Sequence, residues 1–107
     1  METSVQFLSS GLRISGILSV PDDLPAGSKR SAIVVLHGFG SNKNGGISQA
    51  ASQLFASLGY IVLRFDMRGC GQSEGARGRV ICLEQVEDTR AAIDFLLTRP
   101  EVDPSRI

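Results

Sequence analysis

The sequence has no tryptophan, one tyrosine, one histidine, two cysteines and no excess of either charge in its 107 residues. Each scarcity removes a class of function. Eleven basic residues balance 11 acidic ones for a formal net charge of zero, so nothing electrostatic draws the chain to nucleic acid or to an anionic membrane. Cys70 and Cys82 are too widely spaced for a C-x-x-C redox or zinc half-site and too few for a disulfide framework. No metal and no cofactor is expected, and two inert, unpaired thiols fit a reducing cytoplasm. The N-terminus, METSVQFLSSGLRISGIL, has no basic leader and no unbroken apolar stretch before Arg13, so neither a signal peptide nor an anchor is expected. No apolar run approaches the roughly 20 residues of a membrane span. Internal repeats and low-complexity segments are also missing.

What remains is a globular composition, 42% hydrophobic and 21% charged, in a chain that makes at most one small domain. Closed on itself, such a chain buries about 65% of its unfolded surface. Leu12, Ile14, Leu18 and Val20 fall on alternate positions, the period of a half-buried strand, and Ser9-Ser10-Gly11 turns back to a first strand around Val5 and Phe7. A polar loop, PDDLPAGSKR, follows. Two continuous runs, Ala32 to Leu36 and Tyr60 to Phe65, read as strands covered on both faces in a parallel sheet. Between them Ile47, Ala50, Ala51, Leu54, Phe55 and Leu58 recur at helical spacing, with Gly59 placed to end the helix. The unit is a βαβ crossover. A second helix is expected from about Leu83 to Leu97, with Val86, Ile93, Leu96 and Leu97 inward, Glu87 and Arg90 pairing outward, and Pro100 stopping it. The closing EVDPSRI reads as a turn into another strand.

Two glycine-rich loops leave the C-terminal ends of the buried strands, the edge where α/β sheets place their sites. In the first, His37-Gly38-Phe39-Gly40-Ser41-Asn42-Lys43-Asn44-Gly45-Gly46, Lys43 stands where a dinucleotide fingerprint needs its third glycine, and the P-loop spacing also fails. Gly45 and Gly46, just before the helix, read as turn formers. The second begins Asp66-Met67-Arg68-Gly69-Cys70-Gly71-Gln72-Ser73.

The LHGFG stretch resembles the oxyanion-hole loop of the α/β-hydrolase superfamily, and the D-x-R-G-x-G-x-S stretch resembles the segment after its next strand. The likeness is to serine aminopeptidase-like, esterase-like and acylglycerol-lipase-like members and runs from about Leu12 to Ile107. It implies an α/β fold: the N-terminal part of an α/β-hydrolase domain over residues 1–107, with a β-hairpin, a βαβ unit and a further helix in a mostly parallel, incomplete sheet. It also implies that the Phe39 N–H donates to an oxyanion, supported by His37, Gly38 and Gly40. The elbow serine, the acidic residue and the catalytic histidine of that family come later in its sequences. The chain is therefore expected to end before the nucleophile elbow and to be silent alone, as a fragment of a serine hydrolase acting on ester, thioester or amide bonds. Its substrate in the complete protein is a small-molecule ester or amide. If the family's strand order holds, the Ala32–Leu36 strand lacks one neighbour, and self-association through that edge is expected. The alternative is a complete, non-catalytic α/β module that uses the loop edge to bind a small ligand or partner protein.

Gly71-Gln72-Ser73-Glu74-Gly75 spells G-x-S-x-G, the pattern of a nucleophile elbow. An elbow joins strand to helix in one tight turn. Ser73 instead has loop on both sides, so it reads as a decoy that orders the loop. Its one candidate base is His37, the only histidine, which leaves the same sheet edge and reads either as that base or as a strand-end residue satisfied by backbone. Phe39 can also pack its ring over the sheet end while its N–H donates. Asp66 and Arg68 read as ties for the second loop, with direct substrate contact as the alternative.

Overall fold

Ser10 and Gly11 both hold positive φ, 50° and 78°, the backbone that a two-residue hairpin of right-handed twist requires. The turn joins β1 (Glu2–Ser9) to β2 (Leu12–Ser19) in full antiparallel register, with Phe7 opposite Ile14. The computed structural model describes residues 1–107. After the polar loop come β3 (Ala32–Val35), α1 (Gly46–Ser57), β4 (Ile61–Phe65) and α2 (Cys82–Leu97). Gly59, at φ 95°, takes the chain out of α1 as expected. The strand order is β1-β2-β4-β3. Parallel pairing, which the sequence predicts for most of the sheet, is confined here to β3–β4 and to the bridge Arg30↔Val102. The sheet is mixed.

Alternation along the strands sends two different faces to two different helices. Phe7, Ile14, Leu18, Leu63 and Phe65 point to one side, where Ala92 and Leu96 of α2 complete the core. Phe7 meets Phe65 edge-on at 5.7 Å between ring centres and stacks on Phe95 at 5.5 Å. The other face is mixed: Val62 and Val35 are buried there beside Arg64 and Ser19. Arg64 is buried there and donates from Nη1 to Glu2 Oε2 at 2.8 Å, while Ser48 and Ser52 of α1 are buried from the helix side.

The burial of α1 corrects the helix assignment. The periodicity predicts Ile47, Ala50, Ala51, Leu54, Phe55 and Leu58 inward, but Ile47 is 89% exposed, Leu58 is 64% exposed, and Ala50 and Leu54 also face out. Only Ala51 and Phe55 of the expected stripe are half-buried. The residues that α1 buries against the sheet are the small Ser48 and Ser52. The second helix is rotated as well. Leu96 is buried and Ile93 half-buried as expected, but Val86 and Leu97 are about half exposed, at 53% and 49%, and Asp88 takes an inward place. Glu87 accepts from Ser10 Oγ and Arg68 rather than pairing with Arg90.

The strand β3 lies at the sheet edge, and the end of the chain runs along the start of it. Arg30 N–H donates to Glu101 O, Asp103 N–H to Arg30 O and Ala32 N–H to Arg106 O, each at 2.9 Å. This is the beginning of a parallel ladder, as EVDPSRI predicts. Val34 has the same orientation as Arg30 and Ala32, so its backbone groups face the open side.

The Arg64 hydrogen bond holds the Glu2 carboxyl below its ordinary value, against a smaller opposing effect of burial. Because the folded state has the lower pKa, this contribution is complete above the unfolded value of about 4.3 and is lost as pH falls through the folded value. Thermal melts between neutral and strongly acidic pH are expected to show a falling Tm over that window, with a shallower fall in Glu2→Gln.

Candidate functional site

Because β3 and β4 are parallel, the loops that follow them leave the same edge of the sheet. His37 opens the first loop and is half-buried. Its Nε2 accepts the Met67 N–H at 3.0 Å and its Nδ1 lies 2.9 Å from Gly38 O. An acceptor Nε2 assigns the hydrogen to Nδ1, which then donates to that carbonyl. Both ring nitrogens are therefore occupied, Nε2 in tying the first loop to the second and Nδ1 within the first loop. Beyond it, Gly38, Phe39 and Gly40 are exposed, Phe39 to 88%, and Gly40 turns the chain at φ 68°. The Phe39 ring does not pack over the sheet end, and its backbone N–H has no partner within the protein. It stands at a cleft of about 750 Å³ between the loop and α2, lined by Leu36, His37, Met67, Val86 and Ile93 among others.

The first loop ends on Lys43, which is buried. Its N–H donates to Asp66 Oδ1 and its Nζ to Asp66 Oδ2, both at 2.7 Å, and Nζ also reaches Gln72 Oε1 at 2.8 Å. Gln72 N–H adds a bond to Asp66 Oδ2 at 2.9 Å. Asp66 thus ties down its own loop, as its position predicts, and also grips the other. Gly71, at φ 50°, passes so close that any Cβ would strike the Asp66 carboxyl.

Ser73 is fully buried in this arrangement. Its Oγ donates to Asp66 O at 2.6 Å and accepts the Ser15 N–H at 2.9 Å, so it forms no bond to His37. Glu74 continues the seam, accepting the Arg13 N–H at 2.7 Å while its own N–H donates to Arg13 O at 2.9 Å. Arg77 binds the carbonyls of Gly71 and Ser73.

Arg68 forms a second node. Its N–H and Nε donate to the two oxygens of Asp88, at 2.8 and 3.0 Å, and Ser9 Oγ donates to Asp88 Oδ1 at 2.6 Å. The Asp88 bond raises the Arg68 pKa further above its already high ordinary value and keeps the guanidinium charged. Lys43 and Asp88 escape the sequence reading. Asp88 carried a signal, since it shares a helical stripe with Ala92 and Leu96. Lys43 carried none beyond standing where a glycine fingerprint fails.

A family model described as serine aminopeptidase, S33, matches residues 27–106. The chain belongs to that family of hydrolases. It is 36% identical over 107 residues to the thiohydrolase aneE of Aspergillus aculeatus, covering 98% of this chain and 32% of that protein. It is 33% identical over 104 residues to the quorum-quenching protein AidA of Acinetobacter baumannii, covering 96% and 33%. The hypothetical protein PA2218 of Pseudomonas aeruginosa superposes with a TM-score of 0.92 at 31% identity, over 100% of this chain and 33% of that one. Est1E of Butyrivibrio proteoclasticus, with ferulic acid bound, superposes with a TM-score of 0.81 at 20% identity, over 92% of this chain and 39% of that one, and shows the fold alone. The chain spans about one third of the length of these curated relatives. Its fold is thus part of an α/β-hydrolase fold. No helix is long and apolar enough to cross a membrane, and no group of three or more His, Cys, Asp or Glu side chains is placed to hold a metal.

Ser73→Ala leaves the buried Ser15 N–H unpaired and is expected to cost about 1–3 kcal/mol in denaturant unfolding. Gly71→Ala meets both positive φ and the Asp66 carboxyl, and is expected to cost more, about 2 kcal/mol or above.

Proposed function

We propose that this chain is the N-terminal portion of a serine hydrolase acting on ester, thioester or amide bonds of small molecules, and that it supplies the oxyanion-hole loop. Membership of a hydrolase family supports the reaction class. The observation that carries the site reading is the free, exposed N–H of Phe39 in a loop fixed at both ends, by His37 to Met67 and by Lys43 to Asp66. In this reading Phe39 N–H donates to the anionic oxygen of the tetrahedral intermediate, which such donors stabilise by about 3 kcal/mol each. His37, Gly38 and Gly40 shape the turn that presents it. The nucleophile, its base and the acidic partner come from sequence that this chain does not contain. Ser73 and His37 form no catalytic pair, because each spends its polar atoms on backbone. The unpaired thiols Cys70 and Cys82 fit a reducing compartment such as the cytoplasm.

Two measurements test this. Reading the coding DNA beyond the codon for Ile107 is expected to show an open frame continuing into a strand, a G-x-S-x-G elbow, and later acidic and histidine residues. A fluorophosphonate probe followed by intact-mass detection is expected to leave the 107-residue chain unlabelled and to label the extended protein at the later serine. Stoichiometric labelling of the short chain that vanishes in Ser73→Ala would overturn the reading. Expressed alone, the chain is expected to self-associate through the open side of β3. Light scattering that finds a monodisperse monomer with a cooperative melt would favour a self-sufficient binding module instead.

A further inference from the structure

Lys43 is one of only two lysines in the sequence and its side chain is 4% exposed, facing an Asp66 side chain that is 1% exposed. A buried ion pair is a poor source of stability, since apolar residues of similar volume often do as well or better. What it supplies here is geometry. The backbone N–H and the Nζ of this one residue take the two oxygens of the same carboxylate, and Nζ reaches on to Gln72. Three bonds from one side chain and its own amide fix where the first loop meets the second.

Between His37 and Lys43, Gly38 O is held by His37 Nδ1 and Asn42 by the N–H groups of Asn44 and Gly45, all at the ends of the span. Within the span, Ser41 N–H donates to Gly38 O at 3.1 Å, and Phe39 and Gly40 make no backbone bond. The path of the loop is set from its two ends. One end is the His37–Met67 bond. The other is Lys43.

We infer that Lys43 is a positioning residue: its buried pair with Asp66 clamps the C-terminal end of the first loop and thereby fixes the direction of the Phe39 N–H. The use made of that N–H rests on the hydrolase reading above, whereas the clamp itself does not.

The test is nitrogen relaxation by NMR on the 107-residue chain, comparing wild type, Lys43→Met and, as a control, Lys29→Met, whose exposed Nζ reaches only the Pro100 carbonyl. Lys43→Met keeps the backbone bond to Asp66 and removes the cation. The expected result is an order parameter at Phe39 and Gly40 that falls from the rigid range near 0.85 to below about 0.6, with Gln72 moving in step. The β4 residues 61–65 keep wild-type values, and Lys29→Met changes nothing in either loop. Unchanged order at Phe39, or a loss spread equally over β4, overturns the clamp. Should Lys43→Met fail to fold, Lys43→Gln keeps a polar side chain while removing the cation from Asp66 and is expected to loosen the same residues; no change at Phe39 there also overturns it. No substrate enters the measurement. A failed clamp therefore leaves the hydrolase reading to the fluorophosphonate experiment, and a failed hydrolase reading leaves the clamp standing.

Discussion

A single buried carboxylate organises one whole edge of this protein. Asp66 sits where β4 leaves the sheet, fully removed from water, and a charge in that place is tolerable only when it is paired and both its oxygens are hydrogen-bonded. Lys43 supplies a cation and an amide, Gln72 supplies an amide, and the backbone of the same aspartate takes the Ser73 hydroxyl and reaches Ser15 O through its N–H. Two loops and the middle of β2 therefore converge on one residue. The requirement propagates into sequence: Gly71 has to be glycine because the second loop bends around the carboxylate at a distance that leaves no room for a Cβ.

A polar demand of the same kind decides how α2 is turned. Asp88 must meet the Arg68 guanidinium and the Ser9 hydroxyl, which rolls α2 so that the aspartate faces in and Val86 faces out. On the other face, α1 lays its small residues Ser48 and Ser52 against the sheet, and Ser52 Oγ finds no partner there. An unpaired buried charge costs more than an exposed leucine loses, so in α2 the charge sets the rotation and the apolar stripe takes what remains.

This hierarchy explains what could be read from the residues alone. Ser10-Gly11 announced its hairpin because few residue pairs hold two positive φ angles, and the β-branched runs at 32–36 and 60–65 announced their strands by continuity. Ser73 was separable from a true elbow because the chain on either side of it is loop. The helix faces were not legible. Periodicity finds the apolar side of a helix and takes that side to be the inner one, which fails for α1, whose apolar side faces away from the sheet. Lys43 was opaque for another reason: nothing local distinguishes a lysine that will be buried on a carboxylate from one that will stand in water.

Polar satisfaction and apolar burial are unequally complete in this chain, and the difference bears on what it is. Among buried side-chain polar atoms only Ser52 Oγ and Arg64 Nε lack a partner, both on the α1 face. The apolar side is far from closed. Ile47, Leu54 and Leu58 stand out from α1, while Leu36, Val86 and Leu97 stand out beside the cleft and along α2. A domain that met solvent on those helix faces would carry polar residues there. Instead the loops, whose bonds are mutual, have all they need, and the sheet, whose β3 has one open side, has apolar helix faces exposed on both its layers. In the proposed reading, a sheet continuing past β3 would bring further helices over those faces, and the satisfied loop edge would lie at the centre of the molecule rather than at its rim.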